Sequence, residues 1–192
     1  CSSDLTLTVL KESVSQQELN DVLDTISRDD ETDGILLQMP LPKQINADEA
    51  ILHIDPNKDL DGFHPMNVGK LWMNQPAFVP CTAESVMAFI DASGIDLKGK
   101  HVVVLGRSNV VGKPVAELCL AAHATVTICH SRTVDIEKEA SRADVLIAAI
   151  GKARLIKSDW IKPGAVVIDV GVNRDENGKL CGDVDFDDEI DK

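Results

Sequence analysis

A glycine-rich stretch that also carries a basic and a hydroxyl side chain is the part of the sequence best suited to chemistry. Gly106 and Gly112 are spaced G-x5-G, and Arg107 and Ser108 directly follow the first glycine. Glycine lets a backbone approach an anion closely, and a helix N-terminus offers unpaired N–H groups and a partial positive charge. Pro114 suits the first turn of a following helix, where its missing N–H has no partner. The stretch predicts a phosphate-binding turn, with an ordinary tight strand-to-helix turn as the alternative.

The residues about 20 positions further on indicate which phosphate-bearing ligand the turn would hold. The G-x-G-x-x-G fingerprint is not met, because Ser108 stands where its second glycine would be. NAD-selective sites usually place a carboxylate here to bind the ribose 2′-hydroxyl. Residues 130–133 instead read His-Ser-Arg-Thr. Hydroxyls and a cation suit a 2′-phosphate, so the pattern favours NADP; a solvated basic loop is the alternative.

A parallel sheet is needed to bring these residues to one edge. Residues 102–105 form an apolar run typical of a buried strand, and a helix is predicted from the glycine turn through about residue 122. Strands and helical pieces continue to alternate, which predicts a Rossmann-like, doubly wound parallel sheet. The further predicted strands cover residues 125–129, 145–150 and 165–170, with a helical piece near 134–142.

The front of the chain predicts a second α/β unit. Leucine and valine alternate with threonine over residues 5–9, which is the pattern of a strand. Ser15 and Glu18 form a capping box ahead of a helical apolar stripe. Residues 34–37 predict a short strand buried on both faces.

The middle of the chain contains the predicted domain boundary. Asn46 is expected to cap a helix that runs through about residue 54, and residues 55–69 read as an ordered loop. A further helix is predicted over residues 83–92. The resulting division is an α/β substrate domain over residues 1–81 and a cofactor domain over residues 82–192.

Charge and composition exclude several classes of function. The formal net charge is −13, yet residues 98–162 carry 11 basic and 6 acidic side chains. An acidic chain is a poor candidate for nucleic-acid binding, whereas the locally basic part suits a small anionic ligand. No apolar run reaches the roughly 18 residues that a membrane helix needs. We therefore expect a protein without nucleic-acid or membrane partners that works in the cytoplasm, with an organelle as the alternative.

Five widely spaced cysteines, Cys1, Cys81, Cys119, Cys129 and Cys181, include no C-x-x-C pair. This pattern argues against a zinc site or a disulfide framework, so no metal is expected. Cys119 and Cys129 lie in apolar runs and are predicted to be core residues. Because the chain begins at Cys1, we expect a fragment of a longer protein rather than a lipid-anchored one.

Seven short motifs follow one another along the chain: residues 34–42 (GILLQMPLP), 58–63 (KDLDGF), 80–82 (PCT), 106–114 (GRSNVVGKP), 125–131 (TVTICHS), 169–174 (DVGVNR) and 182–185 (GDVD). In this order they resemble the methylenetetrahydrofolate dehydrogenase/cyclohydrolase family. The resemblance implies NADP-dependent oxidation of 5,10-methylenetetrahydrofolate, hydrolysis of the methenyl product to 10-formyltetrahydrofolate, and a homodimer.

The resemblance also assigns substrate residues. Asp61 would hold the amino and ring N–H groups of the pterin, Gln38 would contact the substrate and a catalytic lysine, and Leu37 would lie beside the substrate. Gln38 and Asp61 are thus the expected catalytic residues. The alternatives are that Gln38 caps a strand end and that Asp61 is a turn residue before Gly62.

The cofactor residues are assigned in the same way. Gly106, Arg107 and Ser108 would contact phosphates, Ser131 would hold the 2′-phosphate with Arg107, and the backbone of Val172 would line the nicotinamide.

The sequence departs from the family pattern in one important respect. The family's catalytic lysine lies four residues after a tyrosine, upstream of the segment that begins here, and this chain contains no Tyr. Both ends look truncated relative to the family. We therefore hypothesise that the isolated chain turns over weakly or not at all, which full activity of the purified chain would contradict. The other open interpretations are a catalytically silent NADP-binding module and a different two-domain dehydrogenase of the shikimate type.

Overall fold

A four-stranded parallel sheet organises the second half of the chain in the computed structural model, which describes residues 4–189. Its strands are β1 (His101–Leu105), β2 (Thr125–Cys129), β3 (Val145–Ala148) and β4 (Val166–Asp169). The order is β2-β1-β3-β4, with every neighbouring pair parallel. The predicted doubly wound parallel sheet is confirmed.

Seven helices are described; the first four precede the sheet in the chain, and the other three follow its first strand. They are α1 (Gln16–Arg28), α2 (Ala47–Ile51), α3 (Pro65–Trp72), α4 (Cys81–Ser93), α5 (Gly112–Ala121), α6 (Ile136–Ala140) and α7 (Phe186–Glu189). A 3-10 turn, Ser158–Trp160, and a two-stranded antiparallel ribbon, β5 (Asn173–Arg174) with β6 (Leu180–Cys181), complete the described elements.

Both faces of the parallel sheet are covered, as the apolar runs predict. Val102 and Val104 pack on the face covered by α4 and α5, whereas Val103 and Leu105 pack on the opposite face with Trp160. These four β1 side chains are fully buried, whereas His101, the first residue of β1, is partly buried. Burial on both faces explains why β1 and β3 read as continuous hydrophobic stretches.

The first half is built from helices and loops around a smaller core. The predicted capping box is present, since the Ser15 hydroxyl accepts from the Glu18 amide and the Glu18 carboxylate accepts from the Ser15 amide. Asn46 caps α2 as expected, through its side-chain oxygen. Leu19, Leu23 and Ile35 belong to the core of this half.

Two predicted strands are wrong. Residues 5–9 form no strand, and Leu5 and Leu7 are 90% and 80% exposed. Alternation alone does not make a strand, because the backbone needs a pairing partner and no residue within 4–189 provides one here. Residues 34–37 make only a single bridge, from Ile35 to Asp59, and Leu36 is 60% exposed.

The predicted loop over residues 55–69 contains the start of a helix instead. α3 begins at Pro65, and Nδ1 of His64 accepts a hydrogen bond from the Met66 amide. Proline at the first helical position was the available signal.

The core cysteines are confirmed. Cys119 and Cys129 are fully buried, and burial raises the pKa of the Cys119 thiol to about 11. Cys81 and Cys181 are also free thiols, while Cys1 lies outside the described residues. Within residues 4–189 no helix is long and apolar enough to cross a membrane.

Candidate functional site

The glycine turn between β1 and α5 is shaped by backbone contacts that exclude side chains. Gly106 has a φ of 134°, and a Cβ there would collide with the carbonyl oxygen of Ala149. A Cβ on Gly112 would collide with the carbonyl oxygen of Gly106 and lie 2.7 Å from its carbonyl carbon. Both glycines are therefore required by close packing of the turn against itself and against the end of β3.

The same turn presents backbone donors. The amides of residues 107–110 find no acceptor within residues 4–189. Arg107, Ser108 and Asn109 are all exposed. Successive unpaired N–H groups at a helix N-terminus are the arrangement that binds phosphate.

Ser108 has a structural role in addition to its predicted one. Its hydroxyl oxygen accepts from the amides of Val111 (3.1 Å) and Gly112 (3.3 Å), at the start of α5. Its hydroxyl hydrogen stays available to a ligand oxygen. The sequence prediction missed these two bonds, which hold the Ser108 hydroxyl against the start of α5.

The loop after β2 lies beside the glycine turn. β1 and β2 pair Leu105 with Cys129, and the Gly106 amide donates to the Cys129 carbonyl at 2.9 Å. The Thr133 hydroxyl accepts from the His130 amide at 2.8 Å, which closes a tight turn with Ser131 exposed near its tip. Ser131 thus follows β2, and β2 neighbours the strand β1 that leads into Arg107. The shared 2′-phosphate role of these two residues stays a prediction.

Val172 lies in the loop after β4, at the same edge of the sheet. Its side chain is 80% exposed, so its backbone is the part that the fold holds in place. The adjacent Gly171 amide donates to the Asp169 carboxylate at 2.8 Å. Asp169 and the fully buried Asp183 occur in the quoted motifs, but the sequence did not indicate that their carboxylates accept hydrogen bonds from these loops.

The predicted substrate residues of the first half lie on two segments joined by the Ile35–Asp59 bridge. Leu37 and Gln38 follow one side of the bridge, and Asp61 follows the other. Gln38 is exposed, and its amide nitrogen donates to the Met39 carbonyl at 2.9 Å. The parallel bridge makes these segments run side by side in the same direction.

Two neighbouring carboxylates in this region have different roles. Asp59 is 2% exposed and accepts from the His64 amide at 2.8 Å and the Asn67 side chain at 2.9 Å, so it is structural. Asp61 receives no hydrogen bond from residues 4–189. Burial, with a smaller contribution from the Asp59 charge, raises the pKa of Asp61. A half-buried, unpartnered carboxylate is stabilised by a ligand that donates N–H groups.

A tight contact connects the Asp61 loop to the start of α4. Gly62 has a φ of 68°, and a Cβ there would collide with the Phe78 carbonyl oxygen and lie 3.3 Å from Pro80. Pro80 is the N-cap residue of α4, which packs on the sheet. Asp61 is therefore tied to the element that covers one face of the cofactor sheet.

The sheet edge assembles Gly106, Arg107, Ser108, Ser131 and Val172 into one group, and the bridge assembles Leu37, Gln38 and Asp61 into another. The carboxyl edge of the parallel sheet carries the glycine turn, the amides of residues 107–110, which find no acceptor within residues 4–189, and a basic loop beside them. These features define a dinucleotide-binding α/β protein. The comparisons with known proteins make the assignment specific.

The family model described as "Tetrahydrofolate dehydrogenase/cyclohydrolase, NAD(P)-binding domain" matches residues 80–192, and the one described as the catalytic domain matches residues 2–61. The chain belongs to the tetrahydrofolate dehydrogenase/cyclohydrolase family. It is 56% identical over 177 residues to the bifunctional protein FolD of Magnetococcus marinus, and 54% identical over 175 residues to that of Streptococcus pneumoniae serotype 4. These matches cover 92% and 91% of the chain, but 62% and 61% of the relatives.

Solved structures show the same fold. The bifunctional FolD methylenetetrahydrofolate dehydrogenase/cyclohydrolase of Campylobacter jejuni matches with a TM-score of 0.90 and 45% identity, over 94% of this chain and 64% of that one. The Trypanosoma brucei enzyme, complexed with NADP cofactor and inhibitor, matches with a TM-score of 0.86 and 39% identity, over 93% and 63% of the two chains.

Proposed function

We propose that this chain supplies the NADP site and the folate-holding carboxylate of a bifunctional enzyme. That enzyme oxidises 5,10-methylenetetrahydrofolate to 5,10-methenyltetrahydrofolate and hydrolyses the product to 10-formyltetrahydrofolate. The observation that carries the proposal is the turn at residues 106–112, where the amides of residues 107–110 lie just ahead of α5 and find no acceptor among residues 4–189. Family membership and the NADP complex of the Trypanosoma brucei relative support the choice of reaction and cofactor.

The residues present fit NADP rather than NAD. The Gly106 turn leaves room for a pyrophosphate to approach the backbone, and the helix N-terminus adds partial positive charge. Arg107 and Ser131 are exposed beside that turn and offer a cation and a hydroxyl to the 2′-phosphate. When bound, NADP supplies the hydride acceptor; the protein supplies orientation and charge.

The substrate group fits the pterin end of a folate. The carboxylate of Asp61 accepts two N–H bonds from the pterin, and this relieves the cost of keeping it charged in a half-buried position. Gln38, exposed beside the bridge, contacts the substrate through its carboxamide, and Leu37 packs beside it. The loop contact between Gly62 and Pro80 keeps this group close to α4 and hence to the sheet.

Three further expectations belong to the same proposal. The domain division falls at residues 81/82, just after the Pro80 cap of α4. The enzyme works as a homodimer. It works in the cytoplasm, which the four free cysteines among the described residues support, since thiols stay reduced there.

Equilibrium binding tests the proposal on the chain itself. Calorimetric titration of the 192-residue chain should show binding of NADP+ and of 5,10-methenyltetrahydrofolate. Asp61→Asn should weaken the folate about tenfold and leave NADP+ unchanged, because the carboxylate contacts only the folate. Asp33→Asn, which changes an exposed carboxylate, is the matched control and should alter neither.

Absence of NADP+ binding by the wild-type chain would overturn the proposed function. Equal loss of both ligands in Asp61→Asn would overturn the substrate role of Asp61. Because the chain contains no Tyr, and hence no Tyr-x-x-x-Lys pair, hydrolysis of 5,10-methenyltetrahydrofolate, followed by the loss of its absorbance, should be slow. Full turnover would contradict that part of the assignment.

A further inference from the structure

A buried carboxylate gathers the loop that follows β3. Asp183 is fully buried, and its Oδ2 accepts from the amides of Ile150 (2.6 Å) and Gly151 (3.0 Å). Its Oδ1 accepts from the Lys152 amide and from the Asn173 side chain, both at 2.8 Å. Three successive amides that converge on one anion form a nest of the kind that binds phosphate or carboxylate ligands. Here the anion is the protein's own side chain, so the nest fixes the loop instead of binding a ligand.

A second carboxylate holds the first one in place. Oδ1 of Asp169, at the end of β4, accepts from the Asp183 amide at 3.0 Å and the Gly171 amide at 2.8 Å. Oδ2 accepts from the Val184 amide at 2.9 Å. We call Asp169 and Asp183 the carboxylate clamp. Through it, the loop after β3 and the loop after β4 are joined to a single short segment of chain.

Close packing around the carboxylate clamp leaves no room for a side chain at Gly171 or Gly182. A Cβ on Gly171 would collide with the Asp183 carboxylate, and a Cβ on Gly182 would collide with the Asp169 carboxylate. The motifs at residues 169–174 and 182–185 are therefore the two halves of one hydrogen-bonded unit.

The clamped loops lie on one particular side of the cofactor turn. β2, with the Ser131 loop, flanks β1 on one side, while β3 and β4 lie on the other. The Gly106 turn packs directly on Ala149, at the start of the clamped loop. A dinucleotide in a doubly wound sheet crosses the carboxyl edge where the strand order reverses, here between β1 and β3. With its 2′-phosphate on the β2 side, its nicotinamide half faces the loops after β3 and β4.

We propose that the carboxylate clamp positions residues 150–152 and 171–173 against the nicotinamide half of the dinucleotide, with Asp183 as the positioning residue. This inference rests on the proposed function. It makes Asp183 a determinant of affinity for one half of the cofactor, although Asp183 is buried and does not touch the ligand.

Comparison of two ligands tests the clamp. Asp183→Asn keeps the size of the side chain but replaces one acceptor oxygen with a donor that faces N–H groups. NADP+ spans both halves of the site, whereas adenosine 2′,5′-bisphosphate occupies only the β2 side. In calorimetric titrations, Asp183→Asn should raise the dissociation constant of NADP+ at least tenfold and change that of the bisphosphate less than twofold.

Two further variants make the result interpretable. Asp187→Asn is the matched control, because Asp187 is exposed and its side chain bonds, among residues 4–189, to Arg154; it should change neither constant. Asn173→Ala removes one of the four bonds to Asp183 and should weaken NADP+ alone, about threefold. Retained binding of the bisphosphate also shows that each variant is folded; if Asp183→Asn does not fold, Asn173→Ala carries the test.

The outcomes separate the clamp from the proposed function. If the wild-type chain binds NADP+ but Asp183→Asn weakens both ligands equally, or neither, the clamp has no positioning role. If the wild-type chain binds neither ligand, the proposed function fails and the clamp has no cofactor to position.

Discussion

Replacing Gly112 with alanine perturbs the cofactor turn at its tightest point. The added Cβ would collide with the Gly106 carbonyl oxygen and lie 2.7 Å from its carbonyl carbon and 3.0 Å from the Arg107 amide nitrogen. Ordinary contacts begin at 3.4 Å, so the Gly106 carbonyl carbon must move by about 0.7 Å. All three atoms are backbone, and no side chain can rotate away. The turn itself must move.

The size of the effect follows from that movement. Overpacking of this kind costs about 1–3 kcal/mol. The strain acts on the amides of residues 107–110, so we expect much of it to appear as lost ligand binding. At about 1.4 kcal/mol per tenfold change, the dissociation constant of NADP+ should rise roughly 10–100-fold.

Gly69→Ala is the matched control for this variant. A Cβ at Gly69 meets nothing within 4 Å, and Gly69 lies inside the helix α3. Alanine there should stabilise the chain by about 0.5–1 kcal/mol and leave NADP+ binding unchanged. Calorimetric titration measures the affinities, and thermal unfolding measures the stabilities. If Gly112→Ala binds NADP+ within twofold of the wild-type chain, the close packing of the turn does not position its amides.

Burial raises the pKa of Glu117, whose Oε2 is buried and has no hydrogen-bond partner in the part of the chain that the structure describes, so the charged form of Glu117 destabilises the fold above its ordinary pKa of 4.5. Glu117→Gln should raise the free energy of unfolding, measured with urea, by about 1 kcal/mol at pH 7. This gain should vanish below about pH 4, and an equal gain at pH 7 and below pH 4 would refute the prediction. The Lys162 ammonium, 2.6 Å from Asp144, and the His101 amide lower the pKa of Asp144, which therefore stabilises the fold above pH 3.8 and stops doing so as the pH falls below the lowered value. Asp144→Asn should lower the free energy of unfolding by about 1 kcal/mol at pH 7 and by much less near pH 2. An equal loss at the two pH values would contradict this prediction. Arg107→Ala should weaken NADP+ about tenfold more than NAD+ in competitive titrations; equal losses would show that Arg107 does not read the 2′-phosphate.

The sequence was most informative where structure depends on local patterns. Strands buried on both faces are long apolar runs, so β1 and β3 could be placed within one or two residues. The side chains of Ser15 and Asn46 cap helices through hydrogen bonds to amides no more than three residues ahead, and both predicted caps were confirmed. The glycines of the cofactor turn could be found from their spacing between a strand and a helix, but the backbone contacts that require them, with the Ala149 and Gly106 carbonyl groups, could not.

The features that depend on distant partners could not be predicted. Residues 5–9 alternate like a strand, yet a strand forms only when another segment pairs with it. The four donors to Asp183 come from residues 150–152 and from Asn173, between 10 and 33 positions away. No spacing rule connects such positions, so the carboxylate clamp appears in the sequence only as two short motifs of unknown relation.

A crystal structure of the chain with NADP+ tests the central claim most directly. The account predicts pyrophosphate oxygens within hydrogen-bonding distance of the amides of residues 107–110, and the 2′-phosphate between Arg107 and Ser131. Electron density for the cofactor at another place, with the glycine turn empty, would contradict it.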